Sequence, residues 1–538
     1  MRNNILLGDN RLLSPKNREW LNTNYPTFKW EKVATVKDYT LTISKLVGLE
    51  YVPVQKIEGI EDTEYTLSMP LEENELYCFN VVAHNRRMKM DINIGTNVFA
   101  GKFNAKEHPA NKGIDFSYDQ NGISPEVLNN YLSRTFVCHC LDELNIDKFD
   151  ESLRMILYTG AKYINRAVGD SAFIPNLEEI SRHGLYRQLI DMAHSYDPDI
   201  IFEACVFEAC HINMTKIKIP EYVFEYFELP YEDRCFDNTA MFYDDGHNVN
   251  VFDDLIGGWV SFPDLSKLET QMWFFYRCTS FIDAGFDAIH FGSTPCMSDV
   301  DCKQGHAGFR NICKLTRKYA KTHSRKGFVL LNSHTHGIIV DGETSILDFN
   351  AWVSSGRSPE GSVAHAPTED NPQEIEIVFN DPQNPWSIYG RTCGATMPSG
   401  WKAEKMPYLV ELDNFGVNID LLDKPSSENS GMLYWGIDEI GWFIRQPRWY
   451  RNKWLRYIRD EIERIDPAGK ISMPAIRRAA VVNDGKEVLG WYYANLPEWS
   501  TYIPEAMTEE DIRNTGYYFV ATGDEAEIRK IWIEEHNR

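Results

Sequence analysis

Residues 406–416 read MPYLVELDNFG. Tyr408, Leu409, Val410 and Leu412 make an apolar run too short for a buried helix, and Asn414 and Gly416 close it, so the stretch predicts a β-strand. Glu411 and Asp413 interrupt its C-terminal end. Being two apart, they share one face of the strand. An ionised carboxylate is costly to bury unless it is paired or hydrogen-bonded. A strand that starts apolar and ends acidic therefore suits a parallel α/β architecture, where C-terminal strand ends form the active-site face.

The neighbouring chain carries the same rhythm. Upstream, 155–164 predicts a strand, 177–196 a helix and 199–210 an almost uninterrupted apolar strand. A helix over 265–285 stops at Gly285 and feeds a strand at 286–292. The helix over 309–326 has a basic last turn, as the helix dipole prefers, and leads to strands at 327–337 and 346–353. Downstream, a helix over 451–465, a last strand over 470–482 with its exit at 491–495, and an amphipathic helix over 524–536 complete the series. This alternation implies a parallel sheet, and seven or eight strands fit a closed (β/α)8 TIM barrel. A doubly wound sheet is the alternative, but the glycine-rich turn of nucleotide-binding examples is absent.

Residues 1–125 differ. Strand-like pieces at 39–43, 64–69, 76–83 and 90–101 alternate with polar turns, the pattern of an antiparallel domain. Ser124-Pro125-Glu126 then opens a helix predicted over 124–145. The expected organisation is a β-rich accessory domain (1–125), a barrel (126–500) and a C-terminal helical extension (501–538).

Composition narrows the class of partner. The chain has 538 residues and a net charge of −24, which disfavours nucleic acid and anionic membrane surfaces. No apolar run approaches the ~18 residues of a membrane span. Eleven cysteines without a CxxC pair read as free thiols in a reducing compartment, and MRNNILLGDNRLL lacks the apolar core of a signal peptide. A cytoplasmic protein is expected. Fourteen Trp and 27 Tyr suit the flat faces of sugars as well as a large core.

Polar residues recur at the predicted strand ends. Glu203 and Glu208 lie on 199–210, His290 on 286–292, and Asn332, His334 and His336 on 327–337. Glu411 and Asp413 follow on 406–416, with Asp438 and Glu439 beyond. Barrel closure would bring all of them to one face. Two carboxylates on different strands suit glycoside hydrolysis, with Glu208 as acid/base and Glu411 as nucleophile or water-activating base. Glu203, His290, Asn332, His334, His336, Asp413, Asp438 and Glu439 would bind sugar hydroxyls or tune the acids. Trp435, Trp442 and Trp449 could form a stacking platform. Taken singly, each has a structural reading: a hydrogen-bonded core histidine, an acid at a helix N-terminus, or a packed tryptophan.

The second half thus resembles the TIM-barrel glycoside hydrolases through strands 199–210, 286–292, 327–337 and 406–416, each ending in Glu, His or Asn, with aromatics after the later ones. The resemblance implies action on a glycan or glycoside, usually without a cofactor, and an N-terminal β-domain that shapes the cleft or mediates a homo-oligomer. His334-Thr335-His336 also resembles the first-strand motif of the amidohydrolase superfamily, which would imply a metal-dependent hydrolase. That family needs further histidines on later strands, and only His365 and His536 follow. A non-catalytic carbohydrate-binding barrel is the remaining expectation.

Overall fold

The structure is a computed structural model describing residues 10–85, 90–169, 180–249, 260–353, 356–357, 376–377, 392–412, 440, 443–444, 446–483, 486–500 and 517–538. Eight strands run parallel in chain order around a nearly closed barrel. They are β1 (Thr135–Cys138), β2 (Tyr163–Val168), β3 (Ile201–Cys205), β4 (Ala288–His290), β5 (Leu330–Asn332), β6 (Asn350–Val353), β7 (Tyr408–Glu411) and β8 (Gly469–Asn483). Each pairs with its successor, and β8 returns to β1. Between β5 and β6 the ladder thins to one bridge, His334 to Ala351, with Ala351 N donating to Ser333 O at 3.0 Å.

Side-chain alternation sorts the strands into an inner and an outer face. Phe202, Ala204, Ile289, Leu331 and Val410 point outward into the core shared with the helices. The longer helices are α1 (Pro125–Leu132), which precedes β1, then α2 (Phe149–Thr159), α3 (His183–Tyr196), α4 (Leu268–Asp283), α5 (Ala307–His323), α6 (Arg448–Ile465) and α7 (Glu525–His536). In α5, Phe309, Ile312, Cys313, Thr316, Tyr319 and Ala320 recur at helical spacing and are buried, while Lys321 and His323 occupy the last turn. Tyr163, Ile201, Ala288, Leu330 and Leu409 point inward and meet one another. Beneath them Phe116, Ile123 and the Val127, Leu128, Tyr131 and Leu132 face of α1 plug the barrel's N-terminal end.

The strand and helix expectations hold from α3 onward, with the strands before β8 shorter than their apolar runs; 199–210 contracts to Ile201–Cys205. Two earlier ones fail. The first half of 155–164 is helix: α2 ends at Thr159, and Gly160 adopts φ +83°, a left-handed helix stop. Strand β2 begins only at Tyr163. The helix expected over 124–145 ends at Leu132 and hides β1, because Phe136, Val137 and Cys138 read as a helical face when strand and helix are equally apolar. Between β5 and β6 a short hairpin (Ile339–Val340 with Thr344–Ser345) replaces a helix. Strand β8 also outgrows the barrel, pairing antiparallel with Lys486–Tyr493, which pairs parallel with Tyr517–Ala521.

The N-terminal part forms two sheets. One, of five strands, orders Glu19–Trp20, Met90–Ala100, Leu76–Asn85, Asp38–Val47 and Glu50–Ile60; the other joins Leu12–Ser14, Thr27–Trp30 and Glu64–Thr66. Phe28 and Trp30 of the second pack on Leu41, Ile43, Phe79, Val81 and Phe99 of the first. Leu46, Leu76 and Ala100 then meet Tyr158, Leu496, Trp499 and Ala526 of the barrel side. Helix α7 belongs to the barrel core through Ile528, Ile531 and Trp532. All eleven cysteines are unpaired. Among the described residues no helix is long and apolar enough to cross a membrane.

Candidate active site in the barrel mouth

One step beyond the inward apolar layer, the same faces turn polar. Two residues after Tyr163, Ile201, Ala288, Leu330 and Leu409 come Asn165, Glu203, His290, Asn332 and Glu411. The period-2 geometry of five strands therefore stacks an amide-, imidazole- and carboxylate-bearing layer on a greasy floor. All five residues are buried.

Glu411 ends β7. Arg166 Nη2 lies 2.6 Å from its Oε2, and Asn165 Nδ2 donates to Oε1 at 2.5 Å. Burial would raise its pKa, but the Arg166 guanidinium outweighs burial and holds the carboxyl well below the usual carboxylate range. Arg166 also donates to His334 Nε2 at 2.5 Å. That nitrogen is thereby an acceptor, and burial together with Arg166 keeps the imidazole below its ordinary pKa. The 3.4 Å approach of His334 Nε2 to Glu411 Oε2 is thus a contact of two acceptors bridged by one guanidinium.

Glu203 lies on the other side of Arg166. Its Oε2 accepts from the Tyr163 hydroxyl and from Asn332 Nδ2, both at 2.5 Å, and its Oε1 accepts from Arg166 N at 3.2 Å. Burial pushes its pKa up to about 7, with repulsion from Glu411 adding to the rise and the hydrogen bonds opposing it. Arg166 reaches one acid through its backbone and the other through its side chain. Its φ of +53° makes this possible, and the β2–β3 register shifts between Ile164 and Val168. Left-handed backbone at a bulky residue costs of order 1–3 kcal/mol and concentrates at functional sites; an irregular strand re-aims a side chain.

Asn332 links the acids to the histidines. With Nδ2 given to Glu203, its Oδ1 faces His290 Nδ1 at 2.6 Å. The His290 ring stands edge-on to His334, centroids 4.5 Å apart. Glu208 lies past the end of β3, half-buried, its Oε2 accepting from Ser293 N at 3.1 Å. Gly292, at φ +62°, makes room for it: a Cβ there would fall 1.8 Å from Glu208 Oε2. Its charge acts on Arg166 and His334, which sets it at the same mouth.

Of the residues expected from sequence, Glu203, His290, Asn332, His334 and Glu411 come together, and Glu208 sits at the rim. His336 follows on the β5–β6 hairpin side. Asp413, Trp435, Asp438, Glu439 and Trp442 lie outside the described residues. Trp449 is exposed and lines a groove of about 650 Å³ between α6, α7 and the hairpin at Leu46–Leu49. Tyr163, Asn165 and Arg166 were missed because the strand carrying them was placed too early. The signal was present: YINRAV is an apolar strand interrupted by Asn165 and Arg166, much as Glu411 interrupts its own apolar run.

A cation beside His334 would face the Arg166 guanidinium across 2.5 Å. Among the described residues no three His, Cys, Asp or Glu side chains group as metal ligands. The buried carboxylates, imidazoles and amides of this layer can do acid–base and hydrogen-bonding chemistry.

No family model and no curated protein matches the chain. Among solved structures, an Fn3-like protein from Clostridium thermocellum aligns at 17% identity over 16% of this chain and 85% of that one, with a TM-score of 0.13, too low to bear on fold or function.

Proposed function

We propose that the chain is a glycoside hydrolase built on a TIM barrel, acting on a carbohydrate or glycoside through two carboxylates. The observation that carries this reading is Glu411: a carboxylate buried at a parallel-strand C-terminus yet kept ionised by Arg166, with Asn165 donating to its other oxygen. An oxyanion so held is suited to attack or screen an oxocarbenium-like centre, or to activate water. Glu208 is the acid/base. It is half-buried at the rim, where a leaving group would depart, and one of its oxygens is held by Ser293 N.

A second reading gives the acid role to Glu203, whose pKa near 7 suits proton donation. Both of its oxygens are engaged by protein donors, so the first reading assigns it to positioning Arg166 and Asn332. Protein and substrate would meet in a reducing compartment, in keeping with unpaired cysteines. The test is a panel of aryl glycosides with and without chelator. Turnover indifferent to chelator is expected. Chelator-sensitive turnover would move the chemistry to a metal at His334 and His336, and binding without turnover would make the chain a carbohydrate-binding barrel.

A further inference from the structure

Beside Glu411, His290 Nε2, Asn165 Oδ1 and Ser472 Oγ are buried and meet no partner among the described residues. Buried polar groups are nearly always hydrogen-bonded, so three orphans in one place need an explanation. They are neighbours. Asn165 donates to Glu411 Oε1, Ser472 pairs with Glu411 in the β7–β8 register, and His290 packs on His334, which lies against Glu411.

Their hydrogen-bonding sense is fixed by the acids. Asn165 gives its amide nitrogen to Glu411, which leaves its Oδ1 acceptor-only. Asn332 gives its nitrogen to Glu203 and turns its oxygen to His290 Nδ1, so that nitrogen carries the ring proton. Burial, with His334 and Arg166 adding to it, keeps His290 neutral, so Nε2 is a bare acceptor. Ser472 can donate or accept. The guanidinium of Arg166, the cation of this layer among the described residues, is already engaged by Glu411.

We infer that this layer recognises an uncharged polyhydroxyl ring, whose hydroxyls donate to His290 Nε2 and Asn165 Oδ1 and exchange with Ser472 Oγ, and that it rejects sugars bearing a carboxylate. A uronate oxygen set here would meet acceptors and the Glu411 carboxylate, with no free cation among these residues to receive it. The inference rests on the hydrolase reading only for the site's location. It names the substrate class within it.

The experiment is ligand-observed NMR and calorimetry on the full chain with matched pairs of methyl glycosides: glucoside and glucuronide, galactoside and galacturonide, mannoside and mannuronide. At least one neutral member is expected to bind, with its uronate partner at least about ten-fold weaker, since a charge would be left unpaired among acceptors. Ser472→Ala should weaken the neutral ligand about two- to ten-fold, the loss of one neutral hydrogen bond. It removes a hydroxyl with no partner among the described residues, so the unliganded fold should be as stable as before. His290→Leu should weaken the same ligand by at least as much, with retained circular dichroism as the control. Equal or tighter uronate binding, neutral binding untouched by both variants, or no binding by any member overturns the inference. A neutral sugar that binds without turnover sinks the hydrolase and leaves this standing; turnover of an aryl glucuronide does the reverse.

Discussion

Replacing Arg166 by Met tests whether the barrel mouth is held by one buried ion pair. Arg166 and Glu411 are both almost fully buried and 2.6 Å apart. At an effective dielectric near 20, their attraction is on the order of 6 kcal/mol, while desolvation costs several kcal/mol for each ion. The pair as a whole thus contributes little net stability. Removing one member is another matter: Glu411 would remain buried with only Asn165 and a neutral His334, for a loss of about 3–5 kcal/mol. Methionine keeps the length and inherits the same left-handed backbone, so strain does not confound the result. The double variant Arg166→Met/Glu411→Gln removes both charges and should recover most of the loss, a coupling of about 2–3 kcal/mol. Hydrogen exchange of peptides from β2 and β7 in a urea series reads the opening of these strands without assuming that the whole chain unfolds at once. Acidity gives a further check. With the guanidinium gone, burial should raise the Glu411 pKa above its ordinary value, so protonation relieves the variant, and the gap to wild type should narrow as pH falls toward 5. Additive single losses, or a gap that widens on acidification, would refute the reasoning.

Glu203 predicts the opposite slope from an ordinary salt-bridged acid. Its folded pKa near 7 exceeds the 4.5 of a free glutamate; the folded state holds the proton longer, so its contribution to stability falls by about 3 kcal/mol between those pH values. The stability difference between wild type and Glu203→Gln, followed by urea unfolding, should decline across that window; a flat difference would exclude a raised pKa. Gly292→Ala should push the Glu208 carboxylate out of place, since the new Cβ falls on its Oε2. Turnover should drop about 100-fold, the effect of a misplaced catalytic group, and Gly292→Ser should do the same; unchanged turnover would remove Glu208 from the chemistry.

The architecture was legible because its strands alternate with amphipathic helices, and the polar layer because acids and imidazoles sat at apolar strand ends. Glu411, Asn332 and His334 could be read this way one strand at a time. Arg166 could not, because its role depends on a left-handed kink and on which neighbours lie beside β2. The apolar pieces 135–138 and 155–159 were ambiguous in the physical sense: buried on all sides, they show no period that separates strand from helix. Gly160, a helix stop, was the one local sign that could have set the boundary. The pairing of Glu203 with Tyr163 and Asn332, and hence the tautomer of His290, needed three strands in register.

The central claim is that Glu411 and Glu208 divide the work of breaking a glycosidic bond. It is tested most directly by comparing a 2,4-dinitrophenyl glycoside, which leaves without protonation, with the matching alkyl glycoside in Glu208→Gln and Glu411→Gln. Loss of the acid should slow the alkyl substrate about 10²–10⁴-fold and leave kcat/KM for the dinitrophenyl substrate nearly untouched, whereas loss of Glu411 should abolish both. Turnover of the dinitrophenyl glycoside by Glu411→Gln at the wild-type rate would contradict the account.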